Sequence, residues 1–207
     1  MKGKFVTFEG CEGVGKSSQI KRLKKYLDEH NIECVVTREP GGSFVAEKIR
    51  DVILDSQNNQ MCDICETFLY AAARAQHIND IVKPALEEGK LVICDRYIDS
   101  TYAYQGVGKG LGKDFITKLN DLSVENFYPN LTVFLDLPPK YAFLRKGGAD
   151  ETDRLEKLSI KFHEKVYLGY KEIEKKEPDR FIAVDASGEV LETHEKIIQL
   201  LKMRKII

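Results

Sequence analysis

No apolar run in this chain approaches the ~20 residues that a bilayer-spanning helix requires; the longest are a few residues. Charge of one sign is also missing, since Lys+Arg 32 against Asp+Glu 33 leaves a formal net charge of −1. That balance argues against a broad surface for DNA, RNA or an acidic membrane, while leaving room for a focused cationic pocket. Cysteine is sparse and unpaired in pattern: Cys11, Cys34, Cys62, Cys65 and Cys94 are an odd, scattered set. They read as reduced thiols rather than a disulfide framework. The one close pair, Cys62-Asp63-Ile64-Cys65, has no second pair or neighbouring histidines to complete a zinc site. Internal repeats, low-complexity tracts and Pro/Gly/Ser linkers are absent. The N-terminus runs into a strand-like segment with no targeting pattern before it, so the expectation is a soluble, cytoplasmic protein.

What is present is globular: 43% hydrophobic and 31% charged residues in a chain of 207. A chain of that length is expected to form a single domain, residues 1–207, and to bury about 70% of its unfolded surface. Short runs rich in β-branched and aromatic residues recur at Phe5–Phe8, Cys34–Thr37, Leu91–Cys94, Thr132–Leu135 and Phe181–Val184. They predict five strands, several buried on both faces. Between them lie helical stripes: Ile20, Leu23 and Leu27; Val45, Ile49, Val52 and Ile53; Leu155 to Ile173; and Leu191 to Leu201. All four are assigned to the core. The alternation predicts an α/β fold, a five-stranded parallel sheet with helices on both faces. Pro84 predicts a kink or break near Val82-Lys83 within a helical stretch running from about Glu66 to Glu88.

The strongest chemical signal is Gly10-Cys11-Glu12-Gly13-Val14-Gly15-Lys16-Ser17, a match to G-x-x-x-x-G-K-[ST], with Ser18 next in line. It lies between a strand ending at Phe8 and a helix beginning at about Gly15, the setting this phosphate loop requires. Glycines let consecutive N–H groups turn inward onto a polyphosphate, and the helix N-terminus adds its positive end. Lys16 then neutralises the β- and γ-phosphates and Ser17 places its hydroxyl on Mg²⁺. The pattern predicts a nucleoside triphosphate with Mg²⁺. It does not say where the γ-phosphate goes.

A second acidic element, Asp95-Arg96-Tyr97, ends the third strand, at the sheet edge where ligands gather in parallel α/β folds. Asp95 suits the metal or its waters and Arg96 a phosphate, although a plain salt bridge at a strand end would leave the same trace. The Asn-Lys-x-Asp segment of a switch GTPase does not occur. A kinase for small acceptors should instead show cations for a second phosphate and a surface for a base. Arg38-Glu39-Pro40-Gly41-Gly42 ends the second strand, and Arg50 follows one helix later. Tyr70, Arg74 and His77 share one face of the next helix, where a ring can stack on a nucleobase and a guanidinium can meet its carbonyls. A kinase for another nucleotide or nucleoside, or a regulatory ATPase, remains compatible with these residues alone.

In order, Phe8-Glu9-Gly10, the phosphate loop, Thr37–Gly42, Tyr70-Ala71-Ala72-Ala73-Arg74, Asp95-Arg96-Tyr97, Ser100–Gly106 and Asp153-Arg154-Leu155-Glu156 closely resemble the motifs of bacterial thymidylate kinases. The resemblance runs from about Lys4 to the C-terminal helix. It implies a nucleoside monophosphate kinase that moves the ATP γ-phosphate to dTMP, giving dTDP, and a homodimer. It implies a catalytic set of Lys16, Arg96, Arg154 and Glu12. Tyr70 would stack on thymine, Arg74 would contact the base, and Arg50 and Arg96 the acceptor phosphate. Glu12 and Tyr104 would lie on the sugar side, with Gln105, Ser100 and Thr101 completing the pocket and Arg38 and Pro40 bordering it. Two departures are visible. Ala73 stands where many relatives have Ser or Asn, and the expected lid, about residues 145–154, lacks the arginine run of some members. Arg154 is its best candidate for the transferring phosphoryl; Arg145 and Lys146 read equally well as a solvated basic pair. The Gly147-Gly148 segment is expected to close over ATP.

Overall fold

The computed structural model describes residues 2–146 and 158–207. Five strands, β1 (Lys4–Glu9), β2 (Cys34–Arg38), β3 (Leu91–Asp95), β4 (Leu131–Asp136) and β5 (Phe181–Asp185), form one parallel sheet in the order β2-β3-β1-β4-β5. Each agrees with its sequence expectation to within a residue at either end. β1 lies at the centre, its Phe8 level with Asp95 of β3 and Val133 of β4. Four parallel pairings therefore bring the carboxyl ends of β1, β2 and β3 to one edge.

The helices are α1 (Lys16–Glu29), α2 (Phe44–Leu54), α3 (Asp63–His77), α4 (Lys83–Glu87), α5 (Ile98–Thr101), α6 (Lys113–Val124), α7 (Pro139–Lys146), α8 (Ile160–Lys176) and α9 (Val190–Met203). Alternation along the strands splits the apolar core into two. Val6, Phe8, Ile93 and Val133 join Leu23, Leu27, Tyr170, Ile197 and Leu201 from α1, α8 and α9. Phe5, Val92 and Cys94 point the other way, onto Ile78, Val82, Leu86 and Tyr97. Apolar pattern of period two meets pattern of period 3.6 on both faces, as the fold class demands.

The break expected before Pro84 takes a specific form. Ile78–Val82 is a π-helical segment that joins α3 to α4 without interrupting the rod. Proline removes one amide donor and crowds the preceding turn, and the wider turn absorbs both. A second π segment, Tyr102–Gly108, extends α5; Lys109 N–H donates to Tyr104 O at 2.9 Å, five residues back. α8 packs closely over it at Gly169, where a Cβ would stand 3.0 Å from Ala103 Cα.

Four core assignments need correction. Val45 and Val52 of α2 are 43% and 45% exposed, because this helix packs through Ala46 and Ile53 instead. Leu191 of α9 is also exposed, lying in the first turn before the helix reaches the sheet. Leu158 precedes α8 and is partly exposed, and Leu155 lies outside the described residues.

Candidate active site

The phosphate loop is built by close approach. Gly10 has φ 140°, and a Cβ there would sit 2.9 Å from Leu135 O, so a larger residue would push the loop off β4. Beyond it the chain turns through Gly13 and Gly15, the latter the N-cap of α1. Lys16 curls back across the turn, its Nζ donating to Gly10 O at 3.0 Å and Cys11 O at 3.1 Å. Burial, and then the nearby Arg96 charge, lower the Lys16 pKa from its ordinary value. An incoming polyanion would supply the missing counter-charge. Cys11 and Val14 pack into the core beneath the loop, so any part they take in phosphate binding is through the backbone. Burial raises the Cys11 thiol to about 12, which makes it inert near neutral pH.

Ser17, on the first turn of α1, reaches the end of β3: its Oγ donates to Asp95 Oδ2 at 3.4 Å. Asp95 Oδ1 is buried with no partner among the described residues. A hydroxyl and a carboxylate side by side, one oxygen unspent, fit a divalent cation that takes its other ligands from phosphates and water.

Arg96 is held in a cage. Its backbone adopts φ 69°, uncommon for a residue with a Cβ, while its N–H donates to Phe8 O at 3.0 Å. The guanidinium donates to Gly10 O, Ser100 Oγ and Tyr170 OH at 3.0–3.1 Å, and pairs with Glu12. It also lies over the Tyr104 ring, 5.1 Å from the centroid. Glu12 therefore faces Arg96 as well as the cleft. Behind the cage is Glu9, at the end of β1 and fully buried. Its Oε1 accepts from the N–H groups of Tyr97 and Ser100; its Oε2 accepts from Ser100 Oγ at 2.6 Å and Tyr170 OH at 2.9 Å. Desolvation and then the charge of Asp99 raise the Glu9 pKa to about 7, against the opposing pull of Arg96.

Across the cleft, Arg74 of α3 is almost wholly buried. Its Nε donates to Glu39 Oε2 at 2.8 Å, Nη1 to Asn120 Oδ1 at 3.0 Å and Nη2 to Thr101 Oγ1 at 2.9 Å. Glu39 is bound in turn to His77 Nδ1 at 2.9 Å, and His77 Nε2 to Thr37 Oγ1 at 2.7 Å. The arginine is fixed from three elements, and His77 has a structural place behind it.

A cleft of about 560 Å³ joins these parts. Lining it are Glu12, Gly13, Gly15, Lys16, Ser17 and Ser18 from the loop and α1, and Asp95 and Arg96 from the end of β3. Arg38, Pro40, Arg50 and Tyr70 line it too, as do Arg74, Ser100, Thr101, Tyr104 and Gln105. Arg38 is partly committed elsewhere, to Glu47 at 2.9 Å, and Arg50 Nη1 donates to Pro40 O at 2.7 Å. Arg154 and Gly147-Gly148 lie outside the described residues, as does most of the expected lid. Arg145 is exposed but not free: it donates to the carbonyls of Ala186, Ser187 and Gly188, just beyond β5. Glu39, Tyr97 and His163 also border the cleft without having been singled out as site residues, and Glu9 lies behind it. A carboxylate directly after an apolar strand is the signal that would have found Glu9; His163 sits in an ordinary helical stripe and left none.

A family model described as thymidylate kinase matches residues 8–197. A thymidylate kinase of Symbiobacterium thermophilum is 46% identical over 198 residues, covering 96% of this chain and 92% of that protein. One from Finegoldia magna is 45% identical, covering 98% of this chain and all of the relative. Among solved structures, the thymidylate kinase of Ehrlichia chaffeensis superposes with a TM-score of 0.79 at 33% identity, covering 97% of this chain and 99% of that one.

Proposed function

The chain belongs to the thymidylate kinase family, which phosphorylates dTMP to dTDP with ATP as donor, and from that premise we propose which of its residues do the work. The inward-turned amides of Gly13 to Ser18 and the Lys16 ammonium bind the ATP phosphates. Ser17 and Asp95 hold Mg²⁺, which when bound neutralises charge building up between the β- and γ-phosphates. Arg96 and Arg50 grip the acceptor phosphate, with Arg154 supplied by the lid. Tyr70 stacks on thymine, Arg74 and Gln105 meet its polar edge with Thr101 beside them, and Glu12 and Tyr104 bound the sugar.

The acceptor phosphate carries its own nucleophilic oxygen, so the protein needs no covalent intermediate. Its contribution is alignment of donor and acceptor and a fixed field at the moving group. Arg96 contributes most here because its cage sets its direction before substrate arrives. The observation that carries the reading is the meeting, in one cleft, of the Lys16 loop with the caged Arg96 and the buried Arg74.

We also read the protein as cytoplasmic and homodimeric. All five cysteines are unpaired thiols, and among the described residues no helix is long and apolar enough to cross a membrane. The exposed apolar residues Val45, Val52 and Phe68 on α2 and α3 offer a face to a second copy.

A steady-state assay with ATP, Mg²⁺ and a panel of dTMP, dUMP, dGMP, dCMP and AMP tests the reading. The expected result is clear preference for dTMP and slow ADP release without an acceptor. Lys16→Ala should lower turnover by at least about 10²-fold with an unchanged melting profile; undiminished activity would show that the cradle has been misassigned.

A further inference from the structure

Gln105 borders the cleft, where the reading above sets it against the base, yet it is 1% exposed and tied down from behind. Its Nε2 donates to Glu66 Oε1 at 2.9 Å. Glu66 comes from the first turn of α3 and is fully buried. Lys109, the residue that closes the second π segment, places its ammonium 2.8 Å from the same carboxylate and 2.7 Å from Asp63 Oδ1. A carboxylate offers acceptors and no donor, whereas a glutamine amide has one end of each kind. With its NH₂ end committed to Glu66, the amide has its carbonyl end left for the cleft.

That orientation is a chemical choice about the base. Thymine carries a donor, N3–H, beside a keto oxygen; cytosine carries an acceptor at N3 beside an amino group. Arg74, a side chain of donors alone, stands across the same cleft and suits the keto oxygen. A carbonyl at Gln105 suits N3–H and leaves cytosine N3 facing another acceptor. We propose that Glu66, with Lys109 as its counter-charge, is a positioning residue that sets base specificity: it locks the Gln105 amide so that the pocket accepts an imide and rejects cytosine. This rests on the reading that Gln105 meets the base.

The test is Glu66→Gln, which keeps the size but offers both a donor and an acceptor, so that the Gln105 amide can turn either way. Lys109 retains Asp63 as a partner. The kcat/KM ratio for dTMP over dCMP should fall on the order of ten- to a hundredfold, because one buried polar mismatch is removed from dCMP and another becomes accessible to dTMP. The loss for dTMP should appear in KM, with kcat changed by less than about threefold. The dTMP over dUMP ratio should not move, since uracil shows the same N3–H. An unchanged dTMP over dCMP ratio in folded enzyme, whatever happens to total activity or melting temperature, would overturn the proposal and leave Glu66 a purely structural tie. If the single variant does not fold, Glu66→Gln with Lys109→Met removes the stranded cation and carries the same prediction. Gln105→Met separates the two layers. A raised KM for dTMP there, with no change of ratio in Glu66→Gln, refutes only the positioning role. An unaltered KM in Gln105→Met refutes the base-pocket reading itself.

Discussion

Replacing Glu9 by glutamine should change how stability depends on pH more than it changes the fold. The side chain is fully buried, and burial together with the Asp99 charge raises its pKa from an ordinary 4.5 to about 7. The folded protein therefore holds the Glu9 proton more tightly than the unfolded chain does. Below pH 4.5 both states carry it and its contribution is fully present. As pH rises from 4.5 towards 7 the unfolded chain loses its proton first, and stability drains away until the folded state ionises too. That interval corresponds to about 3 kcal/mol, undiminished by solvent because the group is buried. Glutamine does not titrate. Its carbonyl oxygen can keep the Tyr97 and Ser100 N–H groups, and its NH₂ can donate to the Ser100 and Tyr170 hydroxyls. Urea denaturation of both proteins at pH 5, 6, 7, 8 and 9 measures the difference. Wild type should lose about 2–3 kcal/mol relative to Glu9→Gln between pH 5 and 8, then run parallel to it. A constant difference would refute the reasoning. It would mean that attraction to Arg96 outweighs burial and that Glu9 is ionised throughout this range.

Two further outcomes follow from the geometry. Asp95→Asn keeps the shape of the half-buried side chain but removes the charge beside Ser17; the Mg²⁺ concentration for half-maximal activity should rise about tenfold or more, whereas an unchanged requirement would remove Asp95 from the metal site. Phe134 is fully buried in β4, its ring 5.3 Å from those of Tyr170 and Phe181. Phe134→Ala should cost about 3–5 kcal/mol in denaturant titration, and a loss below about 1 kcal/mol would show that this core closes over the cavity.

Local signals made the scaffold legible. Five short β-branched runs, each followed by amphipathic sequence, mark the strands, and fixed spacing marks the Lys16 loop. The ends of β2 and β3, rich in charge directly after apolar residues, mark the edge where the cleft lies. What stayed hidden depends on partners far along the chain. Glu9 meets Tyr170 across 161 residues, and Arg96 meets Glu12 across 84. No periodicity reports such a contact. The sequence leaves Arg145 open between a solvated and a catalytic cation because its acceptors are backbone carbonyls of a loop 41 to 43 residues on, which have no side-chain signature. Val45 and Val52 matched a helical stripe, yet the partner helix meets α2 through Ala46 and Ile53. Periodicity identifies a helix face but not what, if anything, covers it.

The π-helical stretch Tyr102–Gly108 makes residue count itself a functional quantity. In a chain of ordinary α-turns the direction of each side chain follows from its distance to its neighbours. Here the wider hydrogen-bond spacing offsets everything after Thr101 relative to an α-helix, and Tyr104 and Gln105 reach the cleft from that offset. Deleting a single residue anywhere in the stretch, even one with no polar group, would let it relax to an α-helix and swing both side chains off their targets. Lys109 would also be carried away from Glu66. For anyone aligning, grafting or redesigning this segment, a one-residue gap is a larger change than most substitutions within it.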